Sequence, residues 1–189
     1  ARCWQLQMLV PPVRGHEQFF DKILTMTNVL IKNANVVTPY EVLDADISCL
    51  GQRIEEIGSV EFSDGDIYDA EGFVAMPGFV DVHIHGAVGV DVNEAGVDGL
   101  LEIAGFLARN GVTAWVPTLV PDSDENYKRV IGAIDRLMDV QGDQPVAQAV
   151  GVHDEGVFAN EKMCGALRPE FFKKFTGGEV SELPRLKKG

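Results

Sequence analysis

Apolar and polar side chains alternate strictly along residues 79–85, so that on a strand Phe79, Asp81, His83 and His85 share one face and Val80, Val82 and Ile84 the other. One face suits packing under helices. The other carries a carboxylate and two imidazoles toward its C-terminal end, where Gly86 and Gly89 come next. Residues 146–155 sort in the same way, with Ala147, Ala149, Gly151, His153 and Glu155 opposed to Val146, Gln148, Val150 and Val152. Between the two, a period near 3.6 predicts a helix over 94–110, with Leu100, Ile103, Ala104 and Leu107 inward and Gly111 as its stop. A strand over 112–119 comes next. Asp122 or Ser123 then caps a second helix whose apolar stripe is Tyr127, Val130, Ile131, Ile134 and Met138. The order β, α, β, α, β predicts parallel strands joined by right-handed crossovers.

Upstream, residues 29–68 read as short β-strands, interrupted at Pro39 and turning at Gly51 between Ile47, Cys49 and Ile54, Ile57. Residues 1–25 match nothing downstream. Their apolar run from Trp4 to Val13 is interrupted by Gln5 and Gln7, and it reads as neither signal peptide nor membrane anchor. Met26 is read as a natural start, with the leader as upstream translated or appended sequence. Toward the other end, 168–175 predicts a helical turn packing Phe171, Phe172 and Phe175, and Pro184 breaks any element in the tail.

Composition narrows the partners. At 189 residues, 46% hydrophobic and 24% charged, the chain is long enough for a substantial core. A net charge of -13 argues against nucleic acid or an anionic membrane as partner, both of which need clustered Lys and Arg. Three scattered cysteines, Cys3, Cys49 and Cys164, indicate neither a disulfide framework nor a cysteine-rich zinc site, and the cytoplasm is the simplest compartment. Cys164 as a nucleophile has no base implied beside it, and a small structural cysteine is the plainer reading.

Two imidazoles one residue apart on a strand can grip one metal ion, and a carboxylate from a neighbouring strand can join them. The run PGFVDVHIHG (77–86) resembles the first barrel strand of the amidohydrolase superfamily. GVHDEGVFAN (151–160) resembles the His-x-Glu-Gly segment of its N-acetylglucosamine-6-phosphate deacetylases, with NGVTAWVPTLVP as the strand between. The similarity covers about residues 27–189. It implies an α/β fold, a truncated (β/α)8 (TIM) barrel of the metal-dependent hydrolase type preceded by a small β-sandwich segment. The corresponding divisions are an unmatched leader over 1–25, the N-terminal part of the sandwich over 26–77, and an incomplete first part of the barrel over 78–189.

The same resemblance implies metal ligation by His83, His85 and Glu155, one or two divalent ions with zinc foremost, and a substrate contact through the backbone of Ala166. It implies removal of the acetyl group from N-acetylglucosamine 6-phosphate by a homodimeric full-length protein. The alternatives are hydrolysis of another amide or cyclic amide, and a non-catalytic remnant. Two further histidines and a catalytic aspartate are implied on later strands, beyond residue 189, so no catalytic residue is assigned within the chain, and the chain by itself is expected to be an inactive fragment. His16 lies in the leader and does not replace them. His153 is either a substrate contact or ligand-orienting group, or a histidine satisfied by a hydrogen bond, and it stays outside the metal set. Three positions depart from the family pattern: Asp154 faces the helices where an apolar residue is common, Val157 stands for a proline, and Leu167 stands for a histidine in the stretch Cys164 to Leu167.

Overall fold

The computed structural model describes residues 6–9, 28–51, 53–174 and 183–187. The chain divides into two compact units, Ala1–Phe79 and Val80–Gly189. His16, Cys3, Phe175 and most of the leader lie outside the described residues.

The first unit is a sheet built from β1 (Leu6–Leu9), β2 (Asn28–Val37), β3 (Val42–Leu50), β4 (Arg53–Gly58), β5 (Asp66–Asp69) and β6 (Val74–Pro77), in the order β1-β6-β2-β3-β4 with β5 also on β2. β2 and β3 pair antiparallel except at a bulge between Ile31 and Ala34. There Asn33 adopts φ 59, which asparagine tolerates better than branched residues. Its N–H donates to Asp46 Oδ1 at 3.0 Å and its side chain to Asp69 Oδ1 at 2.9 Å. Val29 and Ile31 before the bulge and Ala34 and Val36 after it share one core cluster, and Leu30 is buried as well. Gly51 turns β3 into β4 as the sequence predicts. Cys49 is disulfide-bonded, against the expectation drawn from three scattered cysteines. A further departure is that part of the leader is a strand, β1, paired antiparallel with β6.

The second unit is α/β. Its elements are β7 (Phe79–Ile84), a small hairpin of β8 (Gly86–Ala87) and β9 (Val90–Asp91), helix α1 (Val97–Arg109), β10 (Val112–Leu119), helix α2 (Asp124–Val140), β11 (Gln148–Ala149) and β12 (His153–Asp154). β10 is the central strand, flanked by β7 and by β11 and β12, the last two parallel to it. The predicted inward residues of α1, Leu100, Ile103, Ala104 and Leu107, are all buried, as are Tyr127, Val130, Ile131 and Ile134 of α2. They meet Trp115, Leu119, Ala147 and Ala149 in one core. Ser123 is the cap of α2, its hydroxyl accepting the Asn126 N–H.

Four expectations are corrected. Helix α1 starts at Val97, three residues after the predicted start, because the Arg129 guanidinium takes the carbonyls of Asn93, Glu94 and Ala95 at 2.6 to 3.3 Å and holds that stretch in a turn. The strand predicted over 146–155 is two short pieces with a register change between them. Trp115 pairs with Ala149 and Thr118 with His153, so three steps on β10 span four on its partner. The extra residue inverts the alternation. Ala147 and Ala149 therefore join the helix-packed core rather than sharing a face with His153 and Glu155. On β7, Ile84 packs against that core, whereas Val80 and Val82 are 60% and 63% exposed. The predicted turn near 168–175 is a short 3-10 turn at Pro169–Phe171.

Candidate metal centre

Three donor atoms from two strands converge. β7 delivers His83, the residue after its end is His85, and Glu155 comes directly after β12. The distances are 3.1 Å between His83 Nε2 and His85 Nε2, 3.3 Å from His83 Nε2 to Glu155 Oε2, and 2.9 Å from His85 Nε2 to Glu155 Oε2. Among the described residues these three form the one group of His, Cys, Asp and Glu donors close enough to share an ion.

The backbone explains the convergence. Ile84, between the two histidines, donates its N–H to the hydroxyl of the fully buried Thr118 on β10 at 3.0 Å, and Thr118 pairs with His153 on the other side. Glu155 N–H donates to Leu119 O at 2.8 Å. One threonine thus locks both arms of the site to one strand. Its signal in the sequence is faint, a lone hydroxyl in an apolar run. A glycine ends each arm. A Cβ on Gly86 would sit 2.0 Å from Val90 O, so only glycine lets the β8–β9 hairpin close and the Val92 N–H reach His85 O at 2.8 Å. Gly156 has φ +66, and a Cβ there would lie 2.2 Å from Leu167 Cδ1.

The donor set fits a cation. With bonds of about 2.0–2.1 Å, donors around a tetrahedral zinc stand about 3.3 Å apart. The three separations here are of that size. Two imidazole nitrogens at 3.1 Å cannot both carry protons, and two bare lone pairs so close repel. Glu155 Oε2 is buried without a hydrogen-bond partner although His85 Nε2 stands 2.9 Å away, because no N–H is directed at it. Three donor atoms gathered this closely could share one cation. Asp81 takes no part: its Oδ1 accepts the His83 backbone N–H at 3.0 Å.

The surroundings are sorted by charge. The His153 ring stands edge-to-face on His83, with centroids 4.8 Å apart. Burial raises the Asp154 carboxyl pKa, which the neighbouring His153 opposes. Burial, and then the charge of Asp154, push the Tyr127 hydroxyl up to about 12. That hydroxyl is buried without a hydrogen-bond partner among the described residues, and the nearby Asp122 backbone tempers the shift. The segment after Glu155 is pinned to the start of α2. Arg168 bonds Asp122 Oδ2 at 2.8 Å and Pro121 O at 3.1 Å, and lies over the Phe171 ring at 4.8 Å; Lys173 bonds Asp124 Oδ1 at 2.5 Å. Burial alone would raise the Asp122 carboxyl, but bonds from the Ser123 N–H, Arg168, Asn126 and Asn93 outweigh it and hold it low. Ala166 is exposed on this pinned segment, and Cys164 is a free thiol beside it.

No family model matches the chain. It is 36% identical over 118 residues to N-acetylglucosamine-6-phosphate deacetylase of Danio rerio, covering 61% of this chain and 28% of that protein. It is 30% identical over 131 residues to N-acetylgalactosamine-6-phosphate deacetylase of Escherichia coli O157:H7, covering 69% and 33%. The solved N-acetylglucosamine-6-phosphate deacetylase of Pasteurella multocida shares the fold over 79% of this chain and 40% of its own, at a TM-score of 0.71 and 24% identity. The chain spans about a third of the length of the curated relatives it matches. Over that part, in sequence and in fold, it resembles the N-acetylglucosamine-6-phosphate deacetylases of the amidohydrolase superfamily.

Proposed function

We propose that this chain supplies the first metal-ligating half of a hydrolase that removes the acetyl group from N-acetylglucosamine 6-phosphate. The observation that carries the reading is the convergence of His83 Nε2, His85 Nε2 and Glu155 Oε2 within 3.3 Å. On this reading the second unit is the opening of a (β/α)8 barrel, the first is part of a β-sandwich, and His83, His85 and Glu155 hold one or two divalent ions, zinc foremost. Such an ion supplies a polarised amide carbonyl and a water acidic enough to attack at neutral pH. The chain's own residues do the positioning. Two neutral imidazoles and one carboxylate would offset only one of the two charges of a bound divalent ion, a balance suited to the developing oxyanion. Thr118 fixes the spacing of the two arms. Arg168 and Lys173 pin the segment that offers the Ala166 backbone to the sugar, and the water-soluble products are acetate and the free amine of glucosamine 6-phosphate.

The proton bound for the leaving amine needs a shuttle outside the three donors. The resemblance implies an aspartate and two more histidines on later strands. Turnover is therefore proposed for protein carrying them, as a cytoplasmic homodimer, and the 189-residue chain is proposed to bind metal without turning over. One feature favours a second reading, hydrolysis of another amide or cyclic amide: Leu167 lays an apolar side chain over Gly156, directly beside the ligand Glu155. Assaying the complete gene product on N-acetylglucosamine 6-phosphate, N-acetylgalactosamine 6-phosphate and a hydantoin separates these. Acetate release from the glucosamine derivative is expected; ring opening of the hydantoin without deacetylation contradicts the proposal.

A further inference from the structure

We propose that His153 is a positioning residue for His83: it holds that imidazole by edge-to-face packing in the orientation the donor cluster requires, and does not itself bind the ion. The inference rests on the proposal that His83, His85 and Glu155 hold a metal.

His83 has a half-exposed side chain, at 47%, on a strand whose neighbouring valines are uncovered, so packing on its own strand does little to select its rotamer. Two rings hold it. His85 meets it at a centroid distance of 4.9 Å and an interplanar angle of 84°, and His153 meets it at 4.8 Å and 82°. Both are the perpendicular arrangement that aromatic quadrupoles favour. The two contacts differ in use. His85 turns its Nε2 to within 3.1 Å of His83 Nε2, whereas His153 has no nitrogen in the donor group.

The platform under His153 is rigid. Its backbone pairs with Thr118, whose hydroxyl accepts the Ile84 N–H, so the buttress and the ring it supports are joined through one residue of β10. The register change between Ala149 and His153 is also required. Were the same residues paired without it, His153 would fall opposite Leu119, continue the face of Ala149 and turn into the helix-packed core. The fold breaks its strand at the cost of ladder bonds and thereby places His153 and Glu155 together on the side of His83.

The test is zinc affinity of the 189-residue chain, measured by competition with a chromophoric chelator, for wild type, His153→Ala and His153→Phe. Outer partners of metal ligands typically change affinity about 10- to 100-fold. We expect His153→Ala to bind about tenfold more weakly and His153→Phe, which keeps an aromatic edge but no nitrogen, to bind within about twofold of wild type, at the mild end of that scale. Cobalt-loaded His153→Phe should keep the wild-type visible spectrum, because the donor set is unchanged. Near-ultraviolet circular dichroism of the metal-free proteins identifies a variant that does not fold; His153→Phe then decides alone. Phenylalanine binding as weakly as alanine, a changed cobalt spectrum, or alanine binding as tightly as wild type each overturns the inference. Wild type binding no zinc sinks the metal reading and this inference with it, whereas tight wild-type binding with unaffected variants sinks this inference alone.

Discussion

β7 and the stretch from β11 to β12 both read in the sequence as clean alternations ending in metal-donor residue types, yet they reach the donor cluster by opposite means. β7 keeps its period, so His83 and His85 stand where Phe79 and Asp81 predict. The other arm gains one residue between Ala149 and His153, and only that break brings Glu155 round to the histidines. Alternation specifies which residues share a face only while the ladder is unbroken. A site assembled from two strands needs the register of both. Here Thr118 enforces it, tied to β7 through Ile84 and to β12 through His153.

Giving the second arm the unbroken ladder of the first should have the largest effect. Deleting both Val150 and Gly151 should let an unbroken ladder with β10 bring Glu155 opposite Leu119, turn it into the core on the side of Ala149 and abolish zinc binding; on top of that, an unpaired carboxylate buried in the core should destabilise the fold by several kcal/mol, on the order of 3–5. Zinc titration followed by thermal melting checks both. Retained zinc binding would show that the register change does not orient the site.

A second contrast lies between the covered and uncovered apolar positions of the α/β unit. Ile134 on α2 is fully buried among α1 and β10 side chains. Ile134→Ala should cost about 2–5 kcal/mol through lost burial and the cavity left behind. Urea denaturation measures it.

These helices were also the most legible part of the sequence. The α1 quartet, the limits of β10 and the Ser123 cap are all set by local periodicity and hydrogen-bonding chemistry, which act within a few residues. What could not be read is non-local. Arg129 shortens α1 from 35 residues away in sequence by taking the carbonyl of Glu94, and nothing near residue 94 announces it. The break at 150–152 leaves the alternation of 146–155 intact on paper, because a bulge is a property of the pair of strands and only one strand is visible at a time. The same holds for the bulge at Asn33. The three candidate donors were identifiable by residue type and by resemblance, but their convergence depends on the register change after Ala149 and on Thr118, neither of which the pattern singles out.

The pinned segment after Glu155 should respond to acid. The folded pKa of Asp122 is depressed, so its contribution is present above the ordinary carboxylate value, about 3.9, and is lost as pH falls through the lower folded value. Between neutrality and pH of about 4 the bond to Arg168 should persist; below that window it should open, and hydrogen exchange at residues 157–173 should rise. Asp122→Asn should raise exchange there already at neutral pH and cost about 1 kcal/mol. Exchange in this segment that is unchanged by the substitution would show that Arg168 does not anchor it.

The smallest effect belongs to the uncovered face. Val82→Thr should alter stability by no more than about 0.5 kcal/mol, in contrast to Ile134→Ala, because the side chain is 63% exposed. A loss of about 2 kcal/mol, the size of a core substitution, would show that something covers β7.

Zinc content shows whether His83, His85 and Glu155 form one metal centre across two strands. Equilibrium dialysis of the 189-residue chain against zinc, followed by elemental analysis, should give stoichiometric binding for wild type and loss of it for both His83→Ala and Glu155→Ala. Unchanged zinc content in both variants would contradict the account.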